Sequence, residues 1–397
     1  MSPNQSIPTQ VTESPQLKFI NSMLRFMNKN NGTDLFICAG TKAQLKINNE
    51  LKPVTDEVLK PALIKELIMA ITPKNIFDRL ETELEANFAT SLPGIARFRV
   101  NVYVQRGTYG MVIRHIQTEI PTMESLKLPD HLKELVMSKR GLVIIVGGTG
   151  TGKSTTLASM IDYRNKNSSG HIITIEDPVE FVHQHAKCIV SQREIGTDTL
   201  NWRNALKNTL RQAPDVILIG EVRDMETMNH AIEFSQTGHL CLCTLHANNT
   251  YQALERIVNL FPHQQHTQLY SDLSMNLRGI VSQRLVTAIE GGRRAALETL
   301  INTPLIADLI AKGEIGSIRE VMARNPESGN TIFDDYLVSL VQSKIISLDE
   351  ALKNAESKTE IKVKLRSRGI AITDVDESQD KKLHLRNTES EGTNSKF

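Results

Sequence analysis

Residues 147–154 read Gly-Gly-Thr-Gly-Thr-Gly-Lys-Ser, between the apolar run Leu142-Val143-Ile144-Ile145-Val146 and the stretch Ser154-Thr155-Thr156-Leu157. A buried strand, a glycine-rich turn and a helix start in that order constrain the fold more than any other feature. Glycines let successive backbone N–H groups turn inward around a phosphate, and the helix points its positive end at the same place. The run Gly147, Gly148, Thr149, Gly150, Thr151, Gly152, Lys153, Ser154 and Thr155 is therefore expected to hold a nucleoside triphosphate. Lys153 is placed to reach the β- and γ-phosphates and the Ser154 hydroxyl to meet Mg²⁺. A strand–helix turn that binds nothing has no need of this lysine and serine.

The chain changes character near Pro121. Residues 1–14 are polar with two prolines and read as a disordered extension. Residues 15–118 form one expected domain. In it Ile20, Met23, Leu24 and Met27 follow helical spacing, and Asn30-Asn31-Gly32 ends that helix. Strands are expected at Asp34–Cys38 and Gln44–Ile47, then helices near Ala62–Ile71 and Pro73–Leu80. Phe98, Val100, Val102 and Val104 alternate with Arg97, Arg99, Asn101, Tyr103 and Gln105, and Gly107 returns the chain through Tyr109–Ile116. This is an α+β pattern: an antiparallel sheet with helices on one face. Its last hairpin carries Arg97, Arg99, Arg106 and Arg114, for which solvation is the ordinary explanation.

Residues 119–374 instead alternate strand with helix, the pattern of a parallel α/β sheet. Strands are expected at Leu142–Val146, His171–Ile175, Asp215–Ile219 and Leu240–Leu245. Helices follow at about Ser154–Lys166, Trp202–Gln212, Met225–Gln236 and Asn249–Asn259. Cys241 and Cys243 alternate within one apolar run and read as buried small side chains facing one side of a strand. From Thr303 the chain turns helical, with Ser347-Leu348-Asp349-Glu350 as a capping box. Residues 375–397 are polar without periodicity and read as a disordered tail.

In such a sheet, catalytic groups gather beyond the C-terminal strand ends. Two acidic segments fall there: Ile175-Glu176-Asp177-Pro178-Val179-Glu180, and the strand Asp215–Ile219 leading through Gly220 to Glu221. A triphosphatase needs a carboxylate to orient or deprotonate water, and oxygen ligands for its metal. Glu180 and Glu221 are the candidates for the water; either could instead cap a helix or pair with an arginine. Many phosphate-loop enzymes carry Asp where this chain has Gly220, so Mg²⁺ is left to Ser154, waters and Glu221. His246, at the end of Thr244-Leu245-His246, could sense the γ-phosphate or hold Glu180, or could merely be packed.

Taken together, these segments resemble the secretion and pilus-motor ATPases of the type II/type IV pilus superfamily, from about Gln16 to Glu356. The match includes the phosphate loop, the acidic box Glu176–Glu180, Glu221 with Arg223-Asp224, and the histidine box Thr237-Gly238-His239 through Thr244-Leu245-His246. The resemblance implies a PAS-like N-terminal domain joined to a RecA-like ATPase domain, ATP and Mg²⁺ as ligands, and a ring of six copies. It also implies that Arg99 and Arg114, with Arg97 and Arg106 close by, reach the nucleotide as fingers, which elsewhere contribute about 10³–10⁵ in rate.

The four-cysteine zinc insert usual in assembly ATPases is absent, and the segment Ser191–Asp215 resembles the retraction branch. The helix reading Ala-Ile-Arg-Asn-Leu-Ile-Arg-Glu in PilT corresponds to Leu305–Lys312, without either arginine. The resemblance is to the accessory retraction motors, and implies PilT and an inner-membrane pilus platform protein as partners.

Composition narrows the alternatives. Lys+Arg 46 against Asp+Glu 45 leave a net charge of +1, without the electrostatic footprint of a nucleic-acid-translocating motor. An ATP-binding structural adaptor for PilT stays open. No apolar run approaches the roughly 20 residues that span a bilayer, and the N-terminus lacks an export signal. A cytoplasmic protein peripherally associated with the inner-membrane pilus machine is expected.

Overall fold

The computed structural model describes residues 14–48, 50–116 and 119–370. The expected extension (residues 1–13 of it) and the tail 375–397 lie outside the described residues. The chain forms two compact units. The first comprises residues up to Leu285 and Arg294–Ile332; the second comprises Val286–Arg293 and the residues from Phe333 onward.

The first unit contains two sheets. Helix α1 (Pro15–Lys29) opens with the Ser14 hydroxyl accepting from the Leu17 N–H at 3.2 Å, and Pro15 fixes its first turn. Its buried stripe is Ile20, Met23, Leu24 and Met27. There follow β1 (Asp34–Cys38), β2 (Gln44–Ile47), β3 (Glu50–Pro53), α2 (Pro61–Ile71), α3 (Lys74–Glu83), β4 (Glu85–Leu92), β5 (Ala96–Gln105) and β6 (Thr108–Ile116). The strands pair antiparallel in the order β3-β2-β1-β6-β5-β4. Leu35, Ile37, Phe98, Val100, Val102, Met111 and Ile113 bury one face against Ile20 and Leu24 of α1 and Ile64 and Leu67 of α2. Two strands escape the sequence reading. β3 is exposed at every position, and β4 buries only Ala86, Phe88 and Leu92, so neither shows a sustained alternation.

The second sheet begins after α4 (His131–Met137). In chain order come β7 (Gly141–Val146), α5 (Lys153–Asn167), β8 (Gly170–Glu176), β9 (Cys188–Glu194), α6 (Trp202–Thr209), β10 (Val216–Ile219), α7 (Met225–Gln236) and β11 (Leu240–Leu245). Next are α8 (Thr250–Leu260), α9 (His266–Asn276), β12 (Leu277–Thr287), β13 (Arg293–Ile301), α10 (Pro304–Lys312) and α11 (Ile318–Arg324). The strand order is β13-β12-β7-β11-β10-β8-β9, and every pairing from β12 to β9 is parallel. The chain enters at the interior strand β7 and wraps outward, so the ends of β7, β11, β10 and β8 lie on one edge of the sheet. β7, β10 and β11 are buried along their whole lengths, which is why they read as continuous apolar runs. Cys241 and Cys243 both enter the core around β11, and burial pushes the Cys243 thiol up to about 12. β9, β12 and β13, whose polar letters hide them in the sequence, complete the sheet.

In the second unit lie α12 (Phe333–Gln342), α13 (Leu348–Asn354) and α14 (Lys358–Ser367). Ser347 caps α13 as expected, its hydroxyl accepting from the Glu350 N–H at 3.1 Å. The reciprocal half of the capping box is replaced. The Glu350 carboxylate accepts instead from the Thr287 N–H at 2.9 Å, a partner that only the fold brings near.

Candidate functional site

The loop after β7 is built around its own lysine. Lys153 Nζ donates to the carbonyls of Gly147 and Gly148, each at 2.8 Å, and closes the loop across its mouth. Burial lowers the Lys153 pKa, while the charges of Glu221 and Glu180 pull it back up, so all three groups face one electrostatic site. Gly152 offers no side-chain cap, and the first N–H groups of α5 have no partner within the helix. Gly147 is needed for two reasons. Its φ is +154°, and a Cβ there would lie 2.5 Å from the Gln283 carbonyl oxygen.

Gln283 itself, on β12, braces the loop. Its carboxamide accepts from the Thr156 hydroxyl at 2.7 Å and donates to the Thr151 carbonyl at 2.7 Å, fully buried. Sequence reasoning missed it. The strand itself was hidden by its polar letters, Arg278, Ser282, Gln283 and Arg284 among them, so nothing in the sequence set this amide apart.

Glu221 follows β10 by two residues and is clamped from both sides. Arg223 Nε donates to its Oε2 at 2.8 Å, and His246 Nε2 lies 3.0 Å from its Oε1. His246, read from the sequence as a γ-phosphate sensor, a support for Glu180 or a packed side chain, here reaches Glu221: β10 and β11 are neighbours, so their tips meet. The arginine pairing weighed for Glu221 is present too, and it raises the Arg223 pKa further. Each carboxylate oxygen keeps a lone pair for a water or metal. The strand tips are tied by the Val222 N–H donating to the Thr244 carbonyl at 2.8 Å and by the Thr244 hydroxyl donating to the Gly220 carbonyl.

Gly220 has a steric reason. A Cβ there would sit 3.2 Å from both Glu176 Cα and the Ile175 carbonyl oxygen, so an aspartate cannot enter without moving β8. Glu176 lies beside it. Burial pushes its carboxyl up to about 7, against bonds from Thr174 Oγ1 at 2.6 Å and Gln192 Nε2 at 3.2 Å. Glu180, four residues on, is exposed on the loop after β8. Among the described residues no cluster of three or more His, Cys, Asp or Glu side chains suits a metal ion.

The arginine face is not simply solvated. Arg99 and Arg114 stand directly opposite each other on β5 and β6. Asp34, buried on β1 and opposite Arg114, accepts from Arg114 Nε at 2.7 Å. Arg97 Nη2 lies 3.6 Å from Glu194 Oε2 on β9. Among the described residues no hydrogen bond or ion pair joins Arg99 or Arg114 to residues 147–155, Glu180 or Glu221 within one chain.

A glycine-rich loop after an interior strand of a mainly parallel sheet, with glutamates beyond nearby strand ends, defines a phosphate-loop protein of the α/β class. The chain belongs to the type II/IV secretion system protein family, whose model matches residues 9–357. It is 52% identical over 345 residues to the type IV pilus ATPase PilU of Pseudomonas aeruginosa, covering 87% of this chain and 90% of that protein. It is 38% identical to the pilus retraction ATPase PilT of the same organism, over 85% of this chain and 98% of that one. A crystal structure of the retraction motor PilT with bound ADP superposes with a TM-score of 0.81 at 36% identity, covering 87% of this chain and 99% of that one.

Proposed function

We propose that this chain is a Mg²⁺-dependent ATPase that, as a ring of six, helps withdraw pilin subunits from a type IV pilus. It acts beside PilT on the cytoplasmic side of the inner-membrane pilus platform. The first sheet with its helices is read as a PAS-like domain and the second as a RecA-like ATPase domain. The observation that carries the reading is the convergence of Lys153, Glu180 and Glu221 on one strand edge, in a chain 52% identical to PilU over nearly its full length.

In this reading the loop amides and Lys153 hold the phosphates. Lys153 must exchange its bonds to Gly147 and Gly148 for phosphate oxygens. Ser154 and Glu221 are the protein groups offered to Mg²⁺, a donor set that suits an ion retaining its waters and leaning on phosphates. When bound, that ion neutralises charge developing on the transferred phosphoryl group. Glu180, exposed on the loop after β8, or Glu221, fixed by Arg223 and His246, orients the attacking water. Arg99 and Arg114 are the fingers. Because they make no contact with this chain's own loop, a neighbouring subunit or a closure of the two sheets must bring them to the phosphates.

The test is twitching motility in cells whose only copy carries Lys153→Ala. Motility is expected to be lost while the protein accumulates normally and co-purifies with PilT. Wild-type motility would favour a structural adaptor whose own hydrolysis is dispensable.

A further inference from the structure

The loop that carries Glu180 is held at three points, and the end of β8 at a fourth, by two side chains of β9. Gln192 donates to the Glu176 carboxylate at 3.2 Å and to the Phe181 carbonyl at 2.8 Å, and accepts from the His183 N–H at 2.8 Å. Glu194, two residues along the same face of the strand, accepts through Oε2 from the Val179 N–H at 3.2 Å, one residue before Glu180. Its other oxygen accepts from the Thr197 hydroxyl at 3.2 Å. The carboxylate is nearly sealed from solvent, with side-chain exposure of 7%.

The same Oε2 atom faces Arg97 Nη2 at 3.6 Å. Arg97 belongs to the other sheet, two residues from Arg99 on β5, and so shares its face with that candidate finger. Its side chain is largely buried, and its Nε has no other partner. One oxygen therefore joins the strand bearing the finger to the backbone that aims the water-orienting candidate. A guanidinium and a carboxylate at this spacing are screened less by water than an exposed pair would be.

We propose that Glu194 is a positioning residue: through its shared oxygen, the place of the arginine strand β5 sets the place of Glu180. Moving β5 away removes a positive charge from Oε2 and loosens the carboxylate that pins Val179, so Glu180 is correctly aimed only while the two sheets are together. Hydrolysis then senses the arginine strand from within the same subunit, before any finger touches phosphate. This inference rests on the reading of Glu180 as the group that orients water.

The experiment is steady-state ATP turnover by the full-length protein carrying Arg97→Ala, Glu194→Gln or both, with Glu180→Gln as the reference. Glutamine retains an acceptor for the Val179 N–H, turns an amide N–H toward the Thr197 hydroxyl oxygen, and removes the charge that Arg97 sees. Each single variant is expected to lower kcat about 10-fold, as a small misplacement of a reacting group does, with KM for ATP nearly unchanged. The double variant is expected to be no slower than the slower single one, since both break one link. Unchanged nucleotide binding and thermal unfolding in Arg97→Ala exclude a folding defect. If Glu180→Gln is inactive while Arg97→Ala turns over at the wild-type rate, or if the two losses multiply, the coupling is wrong and the functional reading stands. If Glu180→Gln itself turns over normally, the role given to Glu180 is wrong, and the coupling falls with it.

Discussion

The site is decided by residues whose importance is steric as much as chemical. Gly220 shows this. Its letter marks a departure from the common acidic pattern, but only the structure supplies the reason, a backbone approach between β10 and β8 that leaves a Cβ 3.2 Å from two backbone atoms. Gly220→Ala is accordingly expected to lower stability by about 1–3 kcal/mol in urea unfolding, as overpacking of a tight site does. An unchanged midpoint would show that β8 can give way.

Glu176 offers a test by pH. Its folded carboxyl is raised to about 7 from an ordinary 4.5, so the folded chain holds a proton that the unfolded chain has already released. The stability tied to that proton is complete below the unfolded value and is lost as pH rises to about 7. Glu176→Gln lacks this titration, so wild type should lose thermal stability relative to the variant across that window. A constant difference in Tm would contradict the assignment. The phosphate loop and the candidates Glu180 and Glu221 could be named from the letters because the chemistry proposed for them demands fixed types at fixed spacing. Gln283 and Asp34 were not, since each acts on a partner far away in the chain, and Gln192 was not, since its strand β9 was itself hidden.

At the level of elements, strands buried on both faces announced themselves, and the edge strands of both sheets did not. β7, β10 and β11 are buried throughout and almost wholly apolar, whereas β3 and β9 are edge strands with mixed letters. The arginine hairpin illustrates what pairing adds to alternation. Alternation put Arg99 and Arg114 on one face; register put them opposite each other, where like charges repel. Buried Asp34, the next position across the sheet, offsets that repulsion through its bond to Arg114. Asp34→Asn keeps the shape and removes the compensating charge, and should cost about 1–2 kcal/mol in urea unfolding. Adding Arg99→Ala to Asp34→Asn should recover part of the loss. If the two changes simply add, the arginines do not sense one another.

Across the whole molecule, two sheets of different build lie in one compact unit, one antiparallel with a cationic face and one mainly parallel with a phosphate loop. Their joint presence in this order is what made the family legible, because each motif alone occurs in many folds. What the letters could not convey was the wiring between them: His246 serves Glu221, and Arg97 reaches Glu194 on the far edge strand of the second sheet. The central claim is that the strand-end carboxylate site cleaves ATP. The most direct measurement is phosphate release by the purified full-length protein with Mg·ATP, beside Glu221→Ala, with ADP binding measured on both. Wild type is expected to hydrolyse ATP, and Glu221→Ala to bind nucleotide yet turn over at least about 100-fold more slowly. Equal turnover by the two proteins would contradict the account.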